Sequence, residues 1–192
     1  MSNAIEIEAK ALISQDEYRK IVKVFPECKR YSQTNYYIDN DERILAKEGI
    51  GLRIREKEGK YVLTLKTPLS QGLLEKNEAI EEAAFREFLE KGIFPKVDEV
   101  RFLTMLDIDV SSLKILTSLT TDRVDVEYKE GLLSIDRNFY SGRTDYEIEF
   151  EYTSMDGAEK ILGDLLREHD IPYHINKVAK VRRALNALEE SK

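Results

Sequence analysis

Carboxylates and cations recur at a spacing of two along several short stretches of this 192-residue chain. In Ile5-Glu6-Ile7-Glu8-Ala9-Lys10 charged residues alternate with apolar ones, and Tyr146-Glu147-Ile148-Glu149-Phe150-Glu151-Tyr152 repeats the pattern with three glutamates. Strand side chains alternate between two faces, so each stretch has an apolar face and a ladder of charges about 6.6 Å apart. Clustered glutamates repel one another unless a hard cation lies among them. Oxygen donors without histidine or cysteine favour Mg²⁺ or Mn²⁺. The opposite sign appears in Leu52-Arg53-Ile54-Arg55 and at Lys10, Lys66, Arg123, Lys180 and Arg183. Guanidinium forks and ammonium groups of this kind suit the oxygens of a compact polyanion such as a polyphosphate. A metal-bound polyphosphate satisfies both sets at once.

Periodicity and punctuation show which elements must position these residues. Ser14-Gln15-Asp16-Glu17 has the form of a capping box, and Tyr18, Ile21, Val22 and Phe25 continue a helix that Pro26 ends. Thr34–Asp39 reads as a short strand, and residues 40–48 as a polar loop. Leu52–Arg55 and Tyr61–Lys66 pair as a hairpin across Glu58-Gly59-Lys60. Gly72–Ile80 reads as a fifth strand whose blurred alternation leaves open whether Glu75 or Glu78 points inward. Two helices over about residues 82–107, the first stopped by Gly92, fall mid-chain as an insertion between halves of one sheet. Thr121–Tyr128 and Leu132–Asp136 form a further hairpin, and Gly142 turns the chain into the strand of Glu147. A helix over residues 156–169 follows, and a last one covers about residues 176–190. On that last helix Val178, Val181, Leu185 and Leu188 form the apolar stripe, while Lys177, Lys180 and Arg183 form a basic one.

Composition narrows the function classes. Apolar residues at 42% suffice for a packed core, and the net charge of −7 argues against a general nucleic-acid binder. Cys28 is the only cysteine, which excludes an intramolecular disulfide or a zinc–cysteine framework. No long apolar run or signal-peptide pattern is present, so the expectation is a soluble, cytoplasmic protein without a membrane partner. Met1–Ala4 are expected to be a loose leader, and His169 and His174, around a helix end and Pro172, to be structural.

About eight strands, each with one apolar and one charged face, fit a closed barrel of the smallest size that can hold a ligand. Helices need apolar surface, so the expected fold is α+β: an eight-stranded antiparallel β-barrel, or tunnel, with a charged interior and helices packed outside. Isolated buried ions cost several kcal/mol, so such a lining must be wet, paired and in use.

At these residues the chain resembles the CYTH domain, the triphosphate tunnel metalloenzymes. The resemblance rests on Glu6-x-Glu8-x-Lys10, Arg53-x-Arg55, Lys66, Arg123, Asp136, Glu147-x-Glu149 and Lys180-x-x-Arg183, taken in order. It covers nearly the whole chain, as a single domain over residues 1–192. One departure is on the fifth strand, where Leu73-Leu74-Glu75-Lys76-Asn77-Glu78 lacks the arginine of an Arg-x-Glu-x-Glu run and resembles a Gram-positive bacterial subgroup. The resemblance implies bound Mg²⁺ or Mn²⁺ on Glu6, Glu8, Asp136, Glu147 and Glu149. It implies a small-molecule triphosphate gripped by Lys10, Arg53, Arg55, Lys66, Arg123, Lys180 and Arg183. In the hydrolytic mechanism a second metal, or Glu151 or Glu75, activates water, and Lys10 stabilises the leaving oxygens. The expected activity is hydrolysis of inorganic triphosphate, thiamine triphosphate or a nucleoside triphosphate. The alternatives are a class IV type adenylate cyclase and a non-catalytic polyphosphate-binding module, and a homodimer is left open.

Overall fold

The computed structural model describes residues 2–70 and 73–190, with backbone alone for residues 2–6. The chain is α+β, with nine strands and six α-helices among the described residues. Eight strands are the sequence expectation, and the ninth arises because the first extended run breaks at Ile7 into β1 (Ser2–Glu6) and β2 (Glu8–Ile13). Ser2–Ala4 therefore belong to a strand rather than a loose leader. The remaining strands are β3 (Lys29–Asp39), β4 (Gly51–Lys57), β5 (Lys60–Pro68), β6 (Leu73–Ile80), β7 (Lys114–Tyr128), β8 (Gly131–Tyr140) and β9 (Arg143–Glu151). They are hydrogen-bonded in the order β1-β6-β5-β4-β3-β7-β8-β9-β2. Every pairing whose register is defined is antiparallel.

The chain divides into two compact units, residues 1–5 with 34–118, and residues 6–33 with 119–192. In the first, Leu52, Ile54, Leu63 and Leu65 of β4 and β5 are buried against three helices. These are α2 (Ile44–Lys47), α3 (Glu82–Lys91) and α4 (Glu99–Met105), contributing Leu45, Phe85, Phe88 and Leu103. The two insertion helices thus form where expected. The α2 turn lies in the stretch expected to be loop, because Asp39 accepts hydrogen bonds from the Leu45 and Ala46 amides and fixes its first turn.

In the second unit, Ala9, Ala11, Val124, Val126, Leu133, Ile135, Ile148 and Phe150 form the apolar sheet face. It is covered by α1 (Gln15–Val22), through Ile21, and by α5 (Met155–Glu168), through Ala158, Leu162, Leu165 and Leu166. The capping box forms as written: Ser14 Oγ accepts from the Glu17 amide and Glu17 accepts from the Ser14 amide. A Cβ on Gly131 would lie 2.5 Å from both the Phe150 ring and the Glu151 carbonyl, so the start of β8 has room only for glycine.

The last helix corrects two expectations. α6 (Lys180–Glu190) starts at Lys180 rather than near Asn176. Asn176 instead closes a turn with its side chain, accepting from the Val178 amide. Ala184 and Ala187 are buried while Val178 is exposed. Lys180 and Arg183 of α6 meet the charged face of its sheet. No helix among the described residues is long and apolar enough to cross a membrane.

Candidate functional site

Strand register places the charges of the second unit in rows. Arg123 lies directly opposite Asp136, Asp136 opposite Glu147, and Lys10 opposite Glu149. Facing carboxylates such as Asp136 and Glu147 destabilise a sheet unless they are neutralised. Both are fully buried. Three cations close around them.

Arg123 donates from Nε to Asp136 Oδ1 at 2.7 Å, and from Nη2 to Asp136 Oδ2 at 2.6 Å and Glu149 Oε2 at 2.7 Å. Its Nη1 stays outside these contacts. Lys180 Nζ lies 2.8 Å from Asp136, 2.9 Å from Glu147 and 2.5 Å from Glu149. Arg183 donates to both oxygens of Glu147, to both of Asp145 and to the Val178 carbonyl. A guanidinium has five N–H donors, so these contacts engage all of Arg183. Asn176 Nδ2 adds a 2.6 Å bond to Glu147, and its amide donates to the Lys10 carbonyl at 2.7 Å, which ties the approach to α6 onto β2.

Beyond Arg183 the row continues. Asp145 accepts from the Tyr140 hydroxyl at 2.5 Å and from Asn138 Nδ2 at 2.9 Å, and Thr121 donates to Asn138 Oδ1. Burial, reinforced by Asp145, pushes the Tyr140 hydroxyl up to about 12. At the other end Lys10 Nζ donates to Glu8 Oε1 at 2.7 Å, and Glu151 lies opposite Glu8, exposed. The Glu6 side chain lies outside the described residues.

For Lys10, Arg123, Glu149, Lys180 and Arg183 burial opposes the charge, and the partners prevail. Glu149 is held well below the usual carboxylate range by Lys180, Arg123 and Lys10. Lys180 is raised well above its ordinary value by Asp136, Glu149 and Glu147. Lys10, Arg123 and Arg183 are likewise raised against burial by their carboxylate neighbours. The acidic cluster is thus paired with cations of the chain itself.

The first unit carries a separate basic set. Arg53, Arg55 and Lys66 share the polar face of β4 and β5, with Thr64 opposite Arg53 and Glu75 opposite Lys66. Glu75, not Glu78, is on this face: Lys66 Nζ lies 2.9 Å and Arg53 Nη2 3.9 Å from it, and Asn77 donates to it at 2.9 Å. Burial works against the Glu75 charge, yet Lys66, Arg53 and Asn77 bring it down to about 2. Glu78 lies on the helix side, opposite Leu63, and accepts from the Asp98 amide. Arg55 donates to Asn35 at 3.0 Å. Among the described residues Arg53 Nε is buried without a hydrogen-bond partner.

The donor set of the second unit suits a hard divalent ion. Asp136, Glu147 and Glu149 each offer an oxygen within 4.8 Å of the others, with no nitrogen or sulfur donor in the group. The Lys180 ammonium, bound by all three, marks a cation position among them.

Sequence reasoning missed Asp145, Asn176, Tyr140 and Asn138. Asp145 extends the Glu147-x-Glu149 alternation by one step and was legible there. The others are neutral side chains that only register and the α6 approach bring to the site. Lys177, grouped by spacing with Lys180 and Arg183, precedes the helix and is exposed.

The chain is similar to known proteins along nearly its whole length. The CYTH domain profile matches residues 4–185. A Bacillus subtilis (strain 168) protein named "Putative triphosphatase YjbK" is 34% identical over 179 residues, covering 92% of this chain and 93% of that protein. A crystal structure from Bacillus halodurans, described as a "putative adenylate cyclase", superposes with a TM-score of 0.87 at 34% identity, over 95% of this chain and 98% of that one. A structure from Hippeastrum superposes with a TM-score of 0.80 at 25% identity, over 93% and 95% of the two chains. It is described as a "putative adenylyl cyclase" that reveals a dominant triphosphatase activity.

Proposed function

The chain belongs to the CYTH domain family, and from that premise we propose that it is a divalent-metal-dependent hydrolase of a triphosphate compound, releasing orthophosphate. The observation that carries this reading is the carboxylate cage of Asp136, Glu147 and Glu149, closed around a cation position. Mg²⁺ or Mn²⁺ held there, with Glu8 at the cage's edge, would offset charge on phosphate oxygens.

The chain's own residues take the following parts. Arg123 orients Asp136 and Glu149 with Nε and Nη2 and presents Nη1 to a phosphate oxygen. Arg183, with every donor engaged, holds Glu147 and Asp145 in place and is assigned to positioning rather than to substrate. Lys10, bound to Glu8 through one of its three N–H groups, stabilises charge on a leaving oxygen. Arg53, Arg55 and Lys66 are phosphate ligands, and the buried Arg53 Nε, without a hydrogen-bond partner among the described residues, supports this. Glu151, exposed at the end of its row, is the better candidate to take a proton from water. Glu75, held near 2, is too weak a base.

A second reading, the adenylate cyclase, is favoured by the description of the Bacillus halodurans structure. Product analysis separates the two. Inorganic triphosphate, thiamine triphosphate and ATP are each incubated with Mg²⁺, Mn²⁺ or chelator. Orthophosphate release that the chelator abolishes, and that Glu149→Gln lowers by about 10²-fold or more, is the expected result. Cyclic AMP with pyrophosphate would establish the cyclase. Binding of triphosphate with no turnover of any substrate would refute both.

A further inference from the structure

The ammonium of Lys180 occupies the place that the proposed function gives to a metal ion. Its contacts are those of a cation in a trigonal oxygen cage: Asp136 at 2.8 Å, Glu147 at 2.9 Å and Glu149 at 2.5 Å. An ammonium and a divalent ion cannot share that volume, because Mg²⁺ requires its oxygens at about 2.0–2.1 Å. We infer that Lys180 is a built-in competitor for the metal, so that divalent binding displaces its side chain and frees a cation beside the site. This rests on the assignment of the metal to the cage.

Three features of the fold make the exchange practicable. Lys180 is the first residue of α6, and residues 177–179 before it are exposed, so its side chain can leave without unwinding the helix. The cage does not depend on Lys180 alone. Arg123 holds Asp136 and Glu149, while Arg183 and Asn176 hold Glu147. Those bonds use part of each carboxylate's acceptor capacity and leave room for a second electropositive partner.

Charge supplies the consequence. Glu8, Asp136, Asp145, Glu147 and Glu149 face Lys10, Arg123, Lys180 and Arg183, leaving this set with one net negative charge. Adding a divalent ion while the freed ammonium stays nearby makes this set more positive by two charges. The metal-loaded site therefore attracts a polyanion more strongly than the metal-free site. Because free energies of binding are reciprocal, a triphosphate that holds the freed Lys180 tightens metal binding by the same factor as the metal tightens triphosphate binding.

The test is calorimetric titration of Mn²⁺ and Mg²⁺ into the substrate-free protein, comparing wild type, Lys180→Met and Glu149→Gln. Removing a competitor should tighten divalent binding by about tenfold or more in Lys180→Met, whereas Glu149→Gln should weaken it. A second measurement on the wild type needs no variant to fold: reductive methylation of Lys180, followed by mass spectrometry, should accelerate by about tenfold when the divalent ion is added. Unchanged or weaker metal affinity in Lys180→Met, or unchanged labelling of Lys180 in a protein that demonstrably binds metal, overturns the inference and leaves the metal assignment standing. Absence of saturable divalent binding in both wild type and Lys180→Met overturns the metal assignment and this inference with it.

Discussion

Substituting Glu147→Gln tests whether the charged lattice is part of the fold's stability. Glu147 is fully buried and receives four donors: Asn176 at 2.6 Å, Arg183 at 3.1 and 2.9 Å, and Lys180 at 2.9 Å. Glutamine keeps the size, but its amide nitrogen turns a donor toward donors on one side, and the charge that balances Arg183 and Lys180 is gone. Removing one partner of a buried ion pair costs about 3–5 kcal/mol, because the other charge stays desolvated. For a chain of this length each kcal/mol lowers the melting temperature by about 2–4 °C, so a fall of about 6–20 °C is expected. Urea unfolding, read by circular dichroism, gives the free energy directly. Glu151→Gln, exposed on the same strand, is the control and should stay within about 0.5 kcal/mol of wild type. Pairing Glu147→Gln with Arg183→Met should recover part of the loss, with a coupling of about 0.5–3 kcal/mol. A loss below about 1 kcal/mol for Glu147→Gln would refute the reasoning, since the lattice would then be no better than solvated surface.

Acid should weaken the first unit through Glu75, whose carboxyl is held near 2 against an ordinary 4.5. A carboxylate depressed in the folded state contributes stability above pH 4.5 that is lost as pH falls toward 2. Allowing for screening at a partly exposed group, the contribution is about 1–2 kcal/mol, and Glu75→Gln should flatten the stability profile across that window. An unchanged slope would remove Glu75 from the account. Tyr140→Phe, which deletes the donor to Asp145, should cost about 1–2 kcal/mol in the same urea assay. In spectrophotometric titration it should also remove a phenol ionising near 12.

The strand faces were legible because a period of two fixes which residues lie together whatever the tertiary fold. Glu147 with Glu149, Arg53 with Arg55, and Glu8 with Lys10 all share faces as spacing dictates. The capping box at Ser14 and the two insertion helices also follow from local chemistry, since a cap and an apolar stripe act within a few residues. The blurred alternation of β6 was undecidable locally. Register against β5 settles it, setting Glu75 against Lys66 and turning Glu78 toward the helices.

By itself, then, the sequence determined the sign and the face of each charge, the antiparallel strands and the apolar surfaces that need helices. Tertiary structure alone decided how those charges pair. Arg123 meets Asp136 across the β7–β8 hairpin, but its bond to Glu149 requires β9 alongside, and Lys180 enters the cage because Asn176 fastens the approach to α6 onto β2. The reason is physical. Side-chain alternation is a property of one strand, whereas ion pairing depends on approaches of under 3 Å between residues far apart in the chain, which only the packed fold creates.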